Sequence, residues 1–477
     1  MKILDVDVAV IGAGSAGLSA FRAAKSQGAS AVLIERGPHG TTCARIGCMP
    51  SKLLIAAAEA AHMVAEAPAF GVHAGPVRID GVAVMARVRS ERDRFVGFVL
   101  ESVEQIAPAE RLWGSARFLG PQQLQIDDHT QVNAARIVIA TGSSPIVPAE
   151  LHHLGARVIT NDQVFDWTDL PESVAIIGPG VIGLELGQAL HRLGVRVALF
   201  GRGEKVGPLT DPEVVRSALE CMHAELDLRL GIQRFDVEPD GDGVLVHSAG
   251  KDGMVRSEHF ALVMSTVGRS PNLRGLQLEH TGLVLDGKGV PTFDRCTMQC
   301  GYSTIFIAGD ADDEKPLLHE AVDQGRIAGD NAGRFPDIKH GLRRAPIGVV
   351  FCDPQIALVG QTHHDLAHDN FAIGQVSFAN QGRSRVMRQN RGLLRVYGEH
   401  GSGRFLGAEM IGPRAEHLAH LLAWACQNRM TVAQMIDMPF YHPVIEEGVR
   451  TALRDLQENI LRGMPPVEHC TDCTPGV

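Results

Sequence analysis

Two stretches of this chain repeat one pattern that leaves few choices of fold. "VDVAVI" (6–11) is an apolar run that breaks into "GAGSAG", continues as an alanine-rich helical segment and returns as a second apolar run, "SAVLIE" (30–35). Residues 174–201, "VAIIGPGVIGLELGQALHRLGVRVALFG", do the same. Each reads as strand, glycine turn, helix, strand. Gly12, Gly14 and Gly17, and again Gly178, Gly180 and Gly183, are spaced so that the backbone turns tightly and approaches a pyrophosphate at a helix N-terminus. A single motif of this kind can be no more than a turn that packs a helix on a sheet. Two copies in the same context predict two bound dinucleotides, and therefore electrons passing between a flavin and a nicotinamide.

The rest of the chain fits an α/β protein with two Rossmann-like dinucleotide-binding domains and a C-terminal α+β domain. "IVIATGSSP" (137–145) and "ALVMSTVGRSPN" (261–272) read as buried strands that run into Gly/Ser/Pro turns, and "STIFIAGD" (303–310) as a strand ending at Gly309 and Asp310. From about residue 346 the texture changes to short strands ("IGVVFC", "GLLRVYG"), prolines and an apolar helix ("AEHLAHLLAWACQ"). The 477 residues allow two to four domains. A formal net charge of −10 gives no broad support for binding nucleic acid or an anionic membrane. No apolar run is expected to span a membrane. Asp5 and Asp7 interrupt the region where a signal peptide needs apolar residues, so a cytoplasmic location is expected.

"TTCARIGCMPSK" (41–52) then stands out, because it places two of only nine cysteines five positions apart. Such a pair can be a structural disulfide, half a metal site or a redox couple. A reducing compartment favours the last two.

In order along the chain, "GAGSAG", "CARIGCMPSK", "ATG", "GPGVIG", "VGRSPN", "IAGD" and "YHPVIEE" resemble the flavin-dependent pyridine nucleotide–disulfide oxidoreductases. That family includes dihydrolipoamide dehydrogenase, glutathione reductase, mercuric reductase and the large thioredoxin reductases. The resemblance implies an FAD-binding domain (1–150), an NAD(P)-binding domain (151–270), a central part completing the FAD domain (271–345) and a dimerisation domain with a C-terminal tail (346–477). It places FAD at the first glycine turn, with Glu35 on the adenosine ribose, Thr141 and Gly142 nearby, Asp310 on the ribitol and His319 near the flavin. Lys52 and Glu185 match an ion pair beside the flavin ring. The second glycine turn, with Gly268 and Arg269, would hold NAD(H) or NADP(H). Cys48 would face the flavin as a thiolate, and Cys43 would exchange with the substrate. His442, oriented by Glu447, would be the acid–base and would act on the other subunit of a homodimer. Glu446 is a second acid beside it. Where the family usually has Thr, this motif has Val444.

The spacing of the cysteines also carries a structural expectation. Five residues of regular helix rise about 7.5 Å, whereas bridged Cα atoms lie under roughly 7 Å apart. The helix must therefore be distorted here, and Gly47 and Pro50 suit that. A metal site would need two further ligands at matching spacing, which neither neighbourhood supplies. No resident metal is expected.

"PSK" after the second cysteine is similar to lipoamide dehydrogenases and mercuric reductases. The implied reaction is oxidation of a dihydrolipoyl dithiol, small or protein-borne. Reduction of another disulfide or a mercuric substrate is the alternative, and a non-catalytic scaffold is a third. "EHCTDC" near the end adds Cys470 and Cys473, which a redox relay, a metal or neither could use. In the nicotinamide unit, an NAD-type second strand ends in an acid that holds both ribose hydroxyls. Here that position is Gly201, followed by Arg202, which can pair a 2′-phosphate, with Lys205 as a second base. Gly183 and Glu204 argue for NAD instead. The expectation is that NADPH is accepted.

Overall fold

The computed structural model describes residues 1–367 and 370–463. The tail cysteines Cys470 and Cys473 lie outside them. The chain opens with β1 (Lys2–Ile11), α1 (Ser15–Ser26) and β2 (Ala31–Glu35), followed by α2 (Thr42–Ile46), α3 (Cys48–Glu66) and α4 (Gly81–Glu104). β3 (Arg111–Trp113), β4 (Ala116–Gly120), β5 (Gln123–Ile126) and β6 (Thr130–Ile139) complete the order β3-β2-β1-β6-β5-β4. β1 pairs parallel with both β2 and β6, with Val10 opposite Leu33 and Val138. Buried on both faces, Val8 to Ile11 form a continuous apolar run, as a central parallel strand requires. β1 starts four residues before the apolar run. Lys2–Asp5 continue the ladder against Thr130–Asn133, so main-chain pairing rather than burial sets that end.

After β7 (Ser143–Pro145), the second unit contains β8 (Val158–Ile159), α5 (Asn161–Val164), β9 (Ser173–Ile177), α6 (Val181–Arg192), β10 (Arg196–Phe200), α7 (Pro212–His223) and β11 (Asp227–Arg229). An antiparallel ribbon follows, formed by β12 (Arg234–Asp240), β13 (Gly243–Ala249) and β14 (Val255–Phe260). β15 (Leu262–Ser265) then returns to the parallel sheet, whose order is β11-β10-β9-β15-β8. β16 (Arg269–Pro271) pairs antiparallel with β7. The two segments read as turns from sequence therefore form a two-stranded link between the units, because each satisfies the other's main chain.

β17 (Ile305–Ile307) rejoins the first sheet beside β6, and α8 (Leu318–Arg334) packs against α1. Small residues let these helices nearly touch. A Cβ at Gly325 or Gly329 would lie 2.2 or 2.1 Å from the carbonyl oxygens of Ala16 and Ala20. The C-terminal part is an antiparallel sheet in the order β18-β19-β22-β21-β20, made from β18 (Ile347–Val350), β19 (Gln355–Gly360), β20 (Phe371–Ser377), β21 (Leu393–Glu399) and β22 (Phe405–Gly412). It carries α9 (Gly382–Val386), α10 (Ala415–Gln427), α11 (Val432–Ile436) and α12 (Glu447–Arg462).

One expectation is corrected. By length and composition, Thr42–Phe70 is apolar enough to cross a membrane. In the fold this stretch is α2 and α3, broken at Gly47, followed by a 3-10 turn (Ala67–Phe70), and its apolar side (Leu54, Ile55, Ala58) joins the core shared with α4 and α6.

Candidate functional site

The two glycine turns have the same geometry. Gly12 and Gly178 have φ of +106° and +103°, and a Cβ at either would lie 2.3 Å from Ala140 O or 2.7 Å from Thr266 O. At the third positions, Gly17 and Gly183, a Cβ would lie 1.8 and 2.1 Å from the carbonyl oxygens of Gly12 and Gly178. At the middle positions, Gly14 and Gly180, it would meet nothing within 4 Å. Each turn is thus closed on the protein side and open over the N-terminus of α1 or α6, where free N–H groups collect. Glu35 closes the first cradle, accepting from Ala13 N at 2.7 Å and Gly37 N at 2.8 Å. The Thr141 hydroxyl is buried and has no partner among the described residues. Asn272 fixes its loop through Thr141 O and Gly142 O. An open turn beside an unpaired buried hydroxyl fits a polar ligand such as a dinucleotide.

Asp310 stands at the end of β17. It accepts from Ser143 Oγ at 2.7 Å, and Ser143 Oγ accepts from Arg269 Nε at 2.8 Å. Ser143, Gly180, Gly268, Arg269 and Asp310 share one cleft of about 340 Å³. The cleft joins the second glycine turn to the acid of the first unit. Ser143 was not singled out from sequence, and only the β7–β16 pairing puts it between Arg269 and Asp310. His319 is exposed in the first turn of α8 and has no side-chain hydrogen bond that ties it to the cleft.

The cysteine segment is two helices rather than one. Thr41 caps α2 by accepting from Ala44 N at 3.3 Å, and α3 begins at Cys48. Gly47 separates them at φ −126° and ψ −122°. A Cβ on it would press on Thr42 O at 3.0 Å and Cys43 Cα at 3.2 Å, so glycine relieves a tight contact at the break. It folds Cys43 back onto Cys48, and both are free thiols in this structure. The Cys43 hydrogen bond, and after it the Lys52 charge, bring the Cys48 thiol down to about 6, against burial and the Glu185 charge. The same hydrogen bond, together with burial and the Cys48 charge, holds the Cys43 thiol well above its ordinary value. Of the two, Cys48 is therefore the thiol that gives up its proton first and Cys43 the one that keeps it.

Lys52 lies one turn beyond Cys48 and reaches Glu185 Oε2 at 2.7 Å. The other Glu185 oxygen accepts from Phe351 N at 2.9 Å, and the Phe351 ring centroid lies 4.5 Å from Lys52 Nζ. Further along the same face of α6, Gln188 exchanges two hydrogen bonds with the main chain of Asp353, at 2.7 and 2.8 Å. Arg192 reaches the Asp353 carboxylate at 2.9 Å. The turn between β18 and β19 therefore supports the Lys52–Glu185 pair, and Phe351 was not foreseen because its contribution is a backbone N–H.

His442 Nδ1 lies 3.0 and 3.1 Å from the two Glu447 oxygens, and Val444 N donates to the same carboxylate at 3.2 Å. The His442 contact lowers the Glu447 carboxyl. Glu447, not Glu446, makes this contact. The His442 side chain is 80% exposed and bonds to neither Cys43 nor Cys48 of its own chain.

Gly201 follows β10, and its N–H donates to Arg229 O at 2.9 Å. A Cβ there would lie 2.8 Å from Leu230 Cδ2 and 2.9 Å from Pro179 Cγ, so an acid does not fit without a shift. Arg202 and Lys205 are exposed and make no ion pair among the described residues. Glu204 is held by Lys251, which lowers its carboxyl.

Comparison with known proteins agrees with this geometry. The family model "Pyridine nucleotide-disulphide oxidoreductase" matches residues 6–325, and that family's dimerisation domain matches 347–453. The chain is 32% identical over 467 residues to a mercuric reductase of Shigella flexneri, covering 95% of this chain and 81% of that protein. It is 27% identical over 458 residues to a dihydrolipoyl dehydrogenase of Bacillus subtilis, covering 94% and 97%. The fold superposes on LpdA of Mycobacterium tuberculosis with a TM-score of 0.80 at 24% identity, covering 95% and 99% of the two chains. The family is FAD-dependent and uses NAD(P)H. The chain belongs to the class I pyridine nucleotide–disulfide oxidoreductases, as a flavoprotein disulfide oxidoreductase that carries the family's dimerisation domain.

Proposed function

We propose that this enzyme exchanges electrons between a dihydrolipoamide-type dithiol and a nicotinamide cofactor through Cys43 and Cys48. In this reading residues 1–150 and 271–345 hold FAD, 151–270 hold the nicotinamide cofactor, and 346–477 build a homodimer. The observation that carries it is the geometry of the pair: the break at Gly47 brings Cys43 onto Cys48 at the start of α3, one turn from Lys52 and its Glu185 partner, which favours the thiolate at Cys48 rather than at Cys43.

In the oxidising direction, one substrate thiolate attacks Cys43 Sγ of the Cys43–Cys48 disulfide, and Cys48 leaves as a thiolate. The second substrate thiol gives its proton to His442 and attacks the substrate sulfur of the mixed disulfide, releasing Cys43. The substrate is then a disulfide, the cysteine pair holds two electrons, and Glu447 favours the charged imidazole. FAD bound here would supply the two-electron redox chemistry that links the cysteine pair to the nicotinamide cofactor. Glu35, Thr141, Asp310 and Lys52 would hold it, with Gly178, Gly180, Gly183 and Arg269 serving the nicotinamide cofactor. Arg202 and Lys205 would receive a 2′-phosphate, so NADPH is accepted.

The likeness to the Shigella enzyme supports a second reading, reduction of a mercuric substrate. Mercuric reductases usually end in two adjacent cysteines, whereas in this sequence two residues separate Cys470 from Cys473, which weighs against that reading. Initial rates decide. Dihydrolipoamide with NAD⁺ or NADP⁺ should turn over fastest, compared with glutathione disulfide or Hg(II) driven by NADH or NADPH. A mercuric or glutathione rate more than tenfold higher overturns the lipoamide reading.

A further inference from the structure

Ile46 ends α2 at the break that brings Cys43 onto Cys48. In an unbroken helix its carbonyl would accept from the N–H four residues on. That residue is Pro50, which has no N–H. The carbonyl therefore needs a donor from outside the helix. Asn161 supplies one. Its Nδ2 donates to Ile46 O at 2.9 Å and to Asp162 Oδ1 at 3.0 Å. Asn161 is buried, and it lies 115 residues further along the chain.

Asn161 is itself held in place. It is the first residue of α5, which Thr160 caps by donating its N–H to Gln163 Oε1 at 2.8 Å. Two arginines of α4 grip the chain that follows. Arg92 Nη1 donates to Phe165 O at 3.0 Å and to Asp166 Oδ1 at 2.6 Å, and Arg89 donates to Trp167 O. A short helix of the second unit is thus clamped onto the first unit beside the cysteines. Asn161 also lines the cleft that contains Gly180, Gly268 and Arg269. One carboxamide therefore belongs both to the wall of the cleft at the second glycine turn and to the bend that carries the cysteine pair.

We propose that Asn161 is a positioning residue for the cysteine pair: by holding Ile46 O it fixes the bend at Gly47 and keeps the sulfur of Cys43 against that of Cys48. This rests on the reading of Cys43 and Cys48 as the pair that opens and closes in turnover. The division of labour follows from the residue types. Pro50 denies the helix its own hydrogen bond, Gly47 relieves the tight contact at the bend, and Asn161 satisfies the carbonyl left over. Without that donor the bend is free to relax. Closure into a disulfide needs the two Cα atoms within roughly 7 Å of each other, so it is sensitive to such a change.

The test follows closure directly, in the dithiol form of the holoenzyme. A Cys470→Ser/Cys473→Ser background removes the tail thiols. One thiolate of the pair attacks dithiobis(nitrobenzoate), forming a mixed disulfide and releasing one thionitrobenzoate. The other cysteine loses its proton to solvent and attacks the mixed disulfide. The second thionitrobenzoate leaves, and the Cys43–Cys48 disulfide remains, identified as a linked peptide. Asn161→Leu has nearly the same shape as the wild type but no donor. It should slow the second release about fivefold or more, the size expected for one lost hydrogen bond. It should also raise the midpoint of Cys48 alkylation by about half a unit, as the contact with Cys43 loosens. Asn161→Ala should do the same, and either variant suffices. The control Val246→Ala truncates a buried side chain in the β12–β14 ribbon of the same unit. It should lower stability in denaturant and move neither readout. A second release that is unchanged in the Asn161 variants, or that slows equally in Val246→Ala, overturns the proposal whatever the midpoint does. If closure slows in the Asn161 variants while the wild-type Cys48 midpoint is that of an ordinary thiol, the positioning role stands and the thiolate reading of Cys48 fails. A wild type that releases only the first equivalent has no closing pair, which overturns the reading of Cys43 and Cys48 and the proposal with it.

Discussion

The sulfur of Cys48 depends on groups far apart in the chain: Cys43 across the Gly47 break, Lys52 one turn along α3, and Glu185 on α6. Alkylation of the reduced enzyme by iodoacetamide should follow a midpoint near pH 6, because the thiolate is lost as pH falls through that value. Cys43→Ala removes the hydrogen bond that contributes most, so the midpoint should rise by about one unit or more toward the ordinary thiol value. A midpoint still near 6 in that variant would assign the effect to Lys52 alone. The nicotinamide site turns on Arg202. Arg202→Glu should shift the kcat/KM ratio of NADPH to NADH toward NADH by about tenfold or more, the size expected when a bidentate phosphate partner becomes a repelling acid. An unchanged ratio would make Arg202 a solvated loop charge. The residue types at these sites were visible in the sequence, but Ser143 and Phe351 were not. One acts by bridging Asp310 and Arg269 and the other through its main chain, and no side-chain motif announces either role.

At the scale of elements, α1 and α8 show why glycine content matters here. Gly325, Gly329 and Gly333 run along one face of α8 against Ala16, Ala20 and Ala24 of α1. In an open helix Gly→Ala would stabilise by up to about 1 kcal/mol. At Gly329 the new Cβ would lie 2.1 Å from Ala20 O, so overpacking wins. Gly329→Ala should lose about 1–3 kcal/mol in denaturant unfolding. The control Gly287→Ala, where a Cβ meets nothing within 4 Å, should stay within about 0.5 kcal/mol of wild type. The strand–turn–helix units were legible because their apolar runs and glycine spacing are local. The β7–β16 pairing was not, since Ser-Ser-Pro and Arg-Ser-Pro read as turn residues and become strands only by meeting each other.

For the whole molecule, the lack of a hydrogen bond between His442 and the cysteines of its own chain bears on assembly. An exposed imidazole already oriented by Glu447 and a matched dimerisation domain support a site completed across a twofold interface. Complementation tests this. Cys48→Ser and His442→Gln should each be nearly inactive in dithiol exchange, with losses of about a hundredfold or more. Mixed, unfolded and refolded together, they should recover about a quarter of wild-type activity, because half of random dimers are mixed and each mixed dimer has one intact site. No recovery from well-refolded mixtures would place His442 and the cysteines in one chain. Removing the tail before Cys470 should leave dithiol exchange unchanged if those cysteines are not a relay; a loss would make them one.

The sequence alone determined the two strand–glycine turn–helix units, the break in the helix near Gly47 and the closeness of Cys43 to Cys48. Each of these follows from short-range rules: periodicity of apolar residues, glycine at positions where a Cβ collides, and the rise of a helix between two sulfurs. Only the tertiary structure decided what surrounds them. It placed the turn between β18 and β19 under Lys52, joined Gly180 and Asp310 in one cleft, tied Glu204 to Lys251, and joined the Gln381 cap of α9 to the main chain of the His442 motif. These juxtapositions span up to hundreds of residues. They depend on how sheets and helices pack, and no local pattern in the chain encodes which distant surfaces meet.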